Sequence, residues 1–386
     1  MASRSRFYEF LLSGGHCFTD VNQGALSAML PFVMTSYHYG YAKVSTLVLG
    51  CSIVSSVVQP LFGWIGDKTE KPWIMSLGCF LAGLGIALMG VFHHFPLLFA
   101  CTMLTGIGVA LFHPEGGRLA HQIANEKKGT AMGDFSVGGN LGFVFGPLFV
   151  ALLFPYFGMR GALFFIIPST IFAILLLKES KKLTVISHKK VKEASLANKP
   201  LGIDNWVEFW KVIGTNILRS IVSRNFIVYL PLFWVAFYHK SNATGSIMVM
   251  VFTLVGAVAT FFGGRLGDRI GFKKCLVLCS GLLLISVAAF AFTNNIILAT
   301  IFVMLAGTFI DLAYGTGVAL AQSYLPNHLG LASGISIGLV VSIGALASPF
   351  LGMASDATGS LKIIFFILTG VCVLTLLLTL ILKNDR

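Results

Sequence analysis

The sequence predicts an all-α membrane protein of twelve transmembrane helices in two six-helix bundles, with both termini on the cytoplasmic side. Three observations predict it. Of 386 residues, 56% are hydrophobic and only 11% are charged, at a mean hydropathy of +0.86; a soluble domain carries about 25% charged residues and would lack the polar surface to stay in water with less than half of that. Apolar windows long enough to span a bilayer recur twelve times along the chain. The basic residues fall unevenly on alternate loops. The same composition excludes a disordered chain, a coiled coil, a disulfide-stapled secreted scaffold and a soluble enzyme.

In order, the windows fall at 7–36, 43–65, 72–92, 95–123, 129–153, 159–178, 208–238, 242–265, 272–292, 295–323, 329–353 and 360–382. These runs do not alternate apolar with polar residues, which rejects a transmembrane β-barrel. The first follows Met-Ala-Ser-Arg-Ser-Arg and contains His16 and Asp20, so it is expected to be a retained span and not a cleaved signal. Between the sixth and seventh lies a hydrophilic stretch from Glu179 to Asn205 with Lys181, Lys182, Lys189, Lys190, Lys192 and Lys199, expected to be a flexible connector. The chain then divides into a bundle at 1–178, a basic cytoplasmic linker at 179–207 and a second bundle at 208–386.

Orientation follows from counting. With the N-terminus inside, four of the 27 basic residues (Lys43, Arg160, Lys240, Lys362) lie in outer loops and three (Arg118, Arg219, Arg224) lie within spans. The remaining 20 are cytoplasmic, a strong positive-inside bias. The net charge of +12 therefore reads as inner-leaflet loops beside a lipid bilayer, with no nucleic-acid partner.

Seven cysteines are an odd number, and all lie in or beside apolar runs. Cys275 and Cys279 share a helical face, but as small packing residues. No His or Cys spacing for a metal, no cofactor motif and no activated nucleophile is apparent, so neither a metal nor a cofactor is expected and the chain is not read as an enzyme. The absence of a Gly-x-x-x-x-Gly-Lys-Ser/Thr loop argues against an ATP-driven pump.

An internal repeat organises the rest. Gly63-Trp-Ile-Gly-Asp67-Lys68-Thr-Glu-Lys71 follows the second span, and Gly264-Arg-Leu-Gly-Asp268-Arg269-Ile-Gly271-Phe-Lys273-Lys274 follows the eighth, with Asp67 and Asp268 201 residues apart. The same offset relates Gly129-Thr-Ala-Met-Gly133 to Gly330-Leu-Ala-Ser-Gly334. Two matches at one offset indicate a six-plus-six duplication, the plan on which many secondary transporters build their halves. The paired loops resemble the signature of the major facilitator superfamily. The second copy departs only by Phe272 at a basic position, whereas the first has Glu70 in place of glycine and Pro72 in place of a base. A glycine there lets two helices join through a tight turn.

Charges inside the spans carry the functional reading. Each costs about 2.5 to 3.5 kcal/mol at the bilayer centre, so Asp20, Glu115, Arg118, Asp134, Arg219, Arg224 and Asp311 must face a hydrated cavity or one another. All but Asp134 fall on the first, fourth, seventh and tenth spans, the helices that line the central cavity in the fold the resemblance implies. His16 and Asp20 are four apart on one face, which Gln23 continues. At about 1.5 Å per residue they lie roughly 13 and 20 Å into the span, near the bilayer midplane. We expect His16 and Asp20, with Glu115 and Asp134, to handle protons; for the Glu115 segment a purely structural inner gate is the alternative. Arg219 and Arg224, with Gln23, His113, Asp311 and Arg118, are the expected substrate-binding groups, since guanidinium groups bind phosphate or carboxylate through paired donors; an internal ion pair is the alternative. Phe-His113-Pro114-Glu115-Gly116-Gly117-Arg118 should loosen or break the fourth span, with Glu115 and Arg118 spaced to pair.

In the fifth span, Gly133, Gly142 and Gly146-Pro147 resemble the first part of the superfamily's drug and proton antiporter motif, although Val150 and Ala151 replace an expected Gly-Gly; close helix packing explains much of the same pattern. Together with His16-x-x-x-Asp20, the His113 segment and Gly138-Gly139-Asn140, residues 14–150 resemble the fosmidomycin-resistance branch of the superfamily. That resemblance implies a monomeric transporter of the cytoplasmic (inner) membrane that exports a small anionic compound or drug in exchange for protons, conferring antibiotic resistance. Proton-coupled uptake of an organic anion, metabolite or siderophore is the alternative.

Overall fold

A computed structural model describes residues 2–69, 73–123, 128–194, 203–326, 328, 332 and 335–383. Among these residues the chain is helical throughout, with no strand. The helices are α1 Ala2–Tyr37, α2 Tyr41–Thr69, α3 Trp73–Met89, α4 Phe95–Ile123, α5 Lys128–Phe157, α6 Ile166–Ala194, α7 Trp206–Ala236, α8 Asn242–Ile270, α9 Phe272–Phe292, α10 Ile296–Tyr324, α11 Val340–Thr358 and α12 Lys362–Leu380. A 3₁₀ segment, Gly158–Phe165, leads into α6, and a π-helical turn, Ile335–Leu339, leads into α11. Among the described residues eight helical segments are long and apolar enough to cross a membrane. The protein is an all-α membrane protein.

Helix ends follow local chemistry. Asn205 and Ser241 accept the first free amides of α7 and α8, from Glu208 and Thr244, and Asn295 accepts those of Ile297 and Leu298 at α10. Gly271, at φ 92°, makes the turn between α8 and α9 that only glycine adopts without strain, as the repeated loop predicts. Gly359, at φ 67°, ends α11 in the same way.

The chain forms two compact units. Met1–Tyr37 with Gly50–Lys199 make the first, and His38–Leu49 with Pro200–Arg386 the second. Within the first, α1 packs on α5, α3 on α4, and α3 on α6; within the second, α7 packs on α11, α9 on α10, and α9 on α12. Each pairing recurs six helices later. The core of the first unit gathers Leu12, Met75, Cys79, Phe112 and Leu176, and that of the second Phe209, Val212, Cys275, Leu276 and Leu320. All seven cysteines are buried and unbridged. They pack as small apolar groups.

Three sequence expectations are corrected. Helix α4 runs unbroken through Pro114, Gly116 and Gly117, because packing supports the turn: a Cβ at Gly116 would meet the rings of Phe112 and Phe135 at 3.1 Å, and neighbouring helices can stabilise a proline within a span. The hydrophilic stretch after Lys178 begins as helix, α6 continuing to Ala194; lysine and glutamate are good helix formers, and Lys182 bonds Glu179 at 2.9 Å one turn back. The opening of α2 belongs to the second unit. There Asp356, near the end of α11, accepts the backbone amides of Tyr41 and Ala42 at 3.0 Å, capping α2 from a distant part of the chain.

The glycines of α5 explain its contact with α1. Gly138, Gly139, Gly142 and Gly146 fall on one face, and a Cβ on Gly146 would strike the Val21 carbonyl oxygen and the Ala25 amide of α1. The antiporter-like glycines thus bring two backbones together. Gly146→Ala should lower stability by about 1 to 3 kcal/mol, read as a lower melting temperature in detergent, whereas Gly117→Ala, with nothing within 4 Å of its added carbon, should be neutral or stabilising. Asp356→Ala should cost about 0.5 to 2 kcal/mol, and Asp356→Asn, which keeps one of the two acceptor oxygens, should cost less; proteolysis rates at residues 38–49 would separate the two.

Candidate functional site

In the first unit, α1 supplies His16 and Asp20 one turn apart, and α4 supplies His113 through a turn that carries Pro114. The His16 Nε2 lies 3.2 Å from one Asp20 oxygen, the His113 Nε2 lies 3.1 Å from the other, and the two Nε2 atoms are 3.0 Å apart. His16 and Asp20 are buried and His113 is partly so. Each outer nitrogen is engaged, His16 Nδ1 with the Phe135 carbonyl at 2.7 Å and His113 Nδ1 with the Val109 carbonyl at 2.9 Å. The His16 ring stacks on Phe135 at 4.1 Å. Gly139 of α5 backs the group: a Cβ there would stand 2.6 Å from His16 Nε2 and 2.9 Å from Asp20 Oδ2. The glycine is what lets the three side chains meet.

Sequence spacing places His16 and Asp20 together but assigns His113 to substrate. The structure instead joins His113 to the Asp20 group, making a cluster of three potential metal-ligating side chains that no local spacing announces, since His16 and His113 are 97 residues apart. Glu115 and Arg118 pair as their spacing predicts, Arg118 donating to both Glu115 oxygens at 3.0 and 2.6 Å. That pair is bidentate, with Glu115 buried. Gln23 is half-buried on α1 and makes none of these contacts. Asn22, not singled out in the sequence, is buried and donates to Ser169 of α6 at 3.0 Å.

In the second unit, α7 carries Arg219 and Arg224. Arg219 is 5% exposed, and its Nη2 donates to Asn216 at 2.6 Å. Its Nη1 is buried and has no hydrogen-bond acceptor among the described residues. Gly317 of α10 makes room for this arrangement, since a Cβ there would lie 2.5 Å from the Asn216 oxygen and 2.8 Å from Arg219 Nη2. Asp311 of α10 rests its carboxylate against Gly256 of α8. It shares this part of the unit with Arg219, Arg224 and Tyr314. Asn216 and Gly317 were missed in the sequence because an asparagine and a glycine in a span carry no charge to flag them.

Of the loop residues, Asp268 and Arg269 are exposed at the end of α8, Gly264 faces open space and Gly271 turns the chain. The side chains of Gly63, Asp67, Lys68, Gly133 and Asp134 lie outside the described residues.

The Major Facilitator Superfamily model matches residues 12–335 and 212–386. The chain is 29% identical over 364 residues to the uncharacterized MFS-type transporter YfnC of Bacillus subtilis (strain 168), covering 89% of this chain and 85% of that protein. It is 25% identical over 389 residues to the fosmidomycin resistance protein of Escherichia coli (strain K12), covering 97% and 92%. Its fold is shared, at a TM-score of 0.83 and 14% identity over 97% of this chain and 96% of the other, with a bacterial homologue of the human lysosomal transporter Spinster solved in an inward-facing and occupied conformation. With its helices, its repeated loops and its buried charges accounted for by one architecture, the chain belongs to the Major Facilitator Superfamily: it is a membrane transporter and not an enzyme.

Proposed function

We propose that this transporter exports a small anionic compound, of the fosmidomycin-like phosphonate kind, across the bacterial inner membrane in exchange for protons by alternating access, as a monomer with both termini cytoplasmic. The observation that carries the reading is Arg219. A buried guanidinium with one nitrogen tied to Asn216 and another without an acceptor is costly unless a ligand completes it, and a phosphonate or carboxylate oxygen is the matching acceptor. Arg224 adds a second positive charge on the same helix. The positive-inside count supports the orientation. The similarity to a fosmidomycin resistance protein supports both the ligand class and the outward direction.

Asp20, His16 and His113 are the proposed proton-handling groups, with Glu115 held by Arg118. Asp134 of α5 is proposed for the same work on sequence grounds alone. Protonation cancels the net negative charge of the buried cluster, and so changes the cost of exposing or closing the site.

Two measurements test the reading. In inside-out vesicles, an imposed pH gradient should drive phosphonate uptake, and Asp20→Asn should abolish the gradient-driven component while leaving a folded, monodisperse protein; gradient-driven flux unchanged by the substitution would remove Asp20 from the mechanism. Arg219→Gln should weaken binding of an anionic ligand by about 10- to 100-fold, the equivalent of one charge-assisted hydrogen bond, with little effect on a neutral analogue of the same shape. Equal losses for the two ligands in a calorimetric or thermal-shift titration would rule out charge recognition.

A further inference from the structure

The hydrogen bonds around Asp20 fix both histidine tautomers. A backbone carbonyl can only accept, so the contacts of His16 Nδ1 with Phe135 O and of His113 Nδ1 with Val109 O require a hydrogen on each Nδ1. A neutral ring then turns a bare lone pair inward at Nε2. The two Nε2 atoms face each other at 3.0 Å and face separate oxygens of one carboxylate at 3.2 and 3.1 Å. Asp20 Oδ1 accepts no hydrogen bond among the described residues despite the nearness of His113. With both rings neutral, four acceptor atoms crowd one buried point, an arrangement that repels itself unless a cation sits within it.

We propose that this cation is a single extra proton shared between the two Nε2 atoms, with Asp20 as its fixed counter-ion, so that the imidazole pair and not the carboxylate carries the coupling proton. The charges balance: one imidazolium, one neutral imidazole and one carboxylate sum to zero, so the loaded site is neutral and suited to burial. In the transfer step the N–H bond of one ring breaks as its proton passes to the lone pair of the other or out to water. After release the site holds an unbalanced negative charge and facing lone pairs. The empty form is therefore the strained one, and protonation favours closure around the triad. The Phe135 ring stacked on His16 and the bare Cα of Gly139 behind it keep the rings in register.

The other titratable groups within reach of the Asp20 charge are the buried thiols Cys17 on α1 and Cys51 on α2. From α3 the buried thiol Cys79 packs in the same unit. On α4, Glu115 is occupied by Arg118. The side chain of Asp134 on α5 lies outside the described residues, and Glu179 of α6 is taken by Tyr8 and Lys182. Among the described residues none of these side chains hydrogen-bonds either Nε2 atom. The inference rests on the proton-coupled reading only for the word coupling; the shared proton itself stands on hydrogen-bond geometry.

The test is nitrogen-15 histidine NMR on the full-length protein in lipid nanodiscs, titrated with pH. The expected result is one proton shared between two Nε2 sites whose outer Nδ1 atoms remain protonated, a signal lost from both rings together in His16→Gln and in His113→Gln. Asp20→Asn, which removes the fixed counter-ion, should weaken the shared signal at neutral pH. The wild-type spectrum decides without any variant: two rings titrating independently, or either ring protonated at Nε2 and bare at Nδ1, overturns the proposal. One equivalent of zinc bound tightly at neutral pH, and lost with His113→Gln, overturns it in favour of a metal ion. A shared signal in a protein whose flux ignores a pH gradient overturns the coupling role alone, which separates failure of the transport reading from failure of the pair.

Discussion

The constraint on which this structure depends is the cost of leaving a polar group unmet where there is little water to meet it. A chain with 11% charged residues has few charged groups, and several buried ones are set against specific neighbours. Asp20 lies between two imidazoles, Glu115 is held by both arms of Arg118 and Asn22 donates to Ser169, whereas Arg219 Nη1 has no acceptor among the described residues. Answering them needs close approach, and close approach needs small residues: Gly139 behind the imidazoles, Gly317 beneath Arg219 and Gly256 against Asp311 each stand where a methyl group would collide. Glycines that let side chains and backbones meet therefore shape the sites.

Much of this was legible in advance. Hydropathy located the helices, a 201-residue offset located the duplication, and an i, i+4 spacing put His16 and Asp20 on one face. Periodicity reports the face and depth of a side chain. It does not report which other helix that face meets, which is why His113 joined Asp20 against expectation, and why Asn216 stayed invisible although it fixes Arg219. The unbroken α4 and the extension of α6 to Ala194 were missed for a related reason: local breaking and solvating signals were outweighed by ring packing at Gly116 in one case and by the helical preference of lysine and glutamate in the other.

The duplication repeats the scaffold but not the chemistry. At the 201-residue offset, Ile217 and Ile221 stand where the first unit has His16 and Asp20, and Phe18 and Gln23 stand where the second has Arg219 and Arg224. Helix pairings were kept while ionisable groups diverged, so that the His16–Asp20–His113 cluster lies in one unit and the Arg219–Asn216 pair in the other. Such a division lets the two kinds of site change independently, since a substitution on α1 does not alter the donors on α7.

The placement of residues 38–49 bears on how the chain can be divided. Because the start of α2 is capped by Asp356 and packs with the second unit while the rest of the same helix packs with the first, the polypeptide passes between units at three places. Severing the linker removes only one of these passages. Of two polypeptides divided at residue 200, the later one would leave Asp356 without the Tyr41 and Ala42 amides it accepts, and so would be incomplete as a folded body.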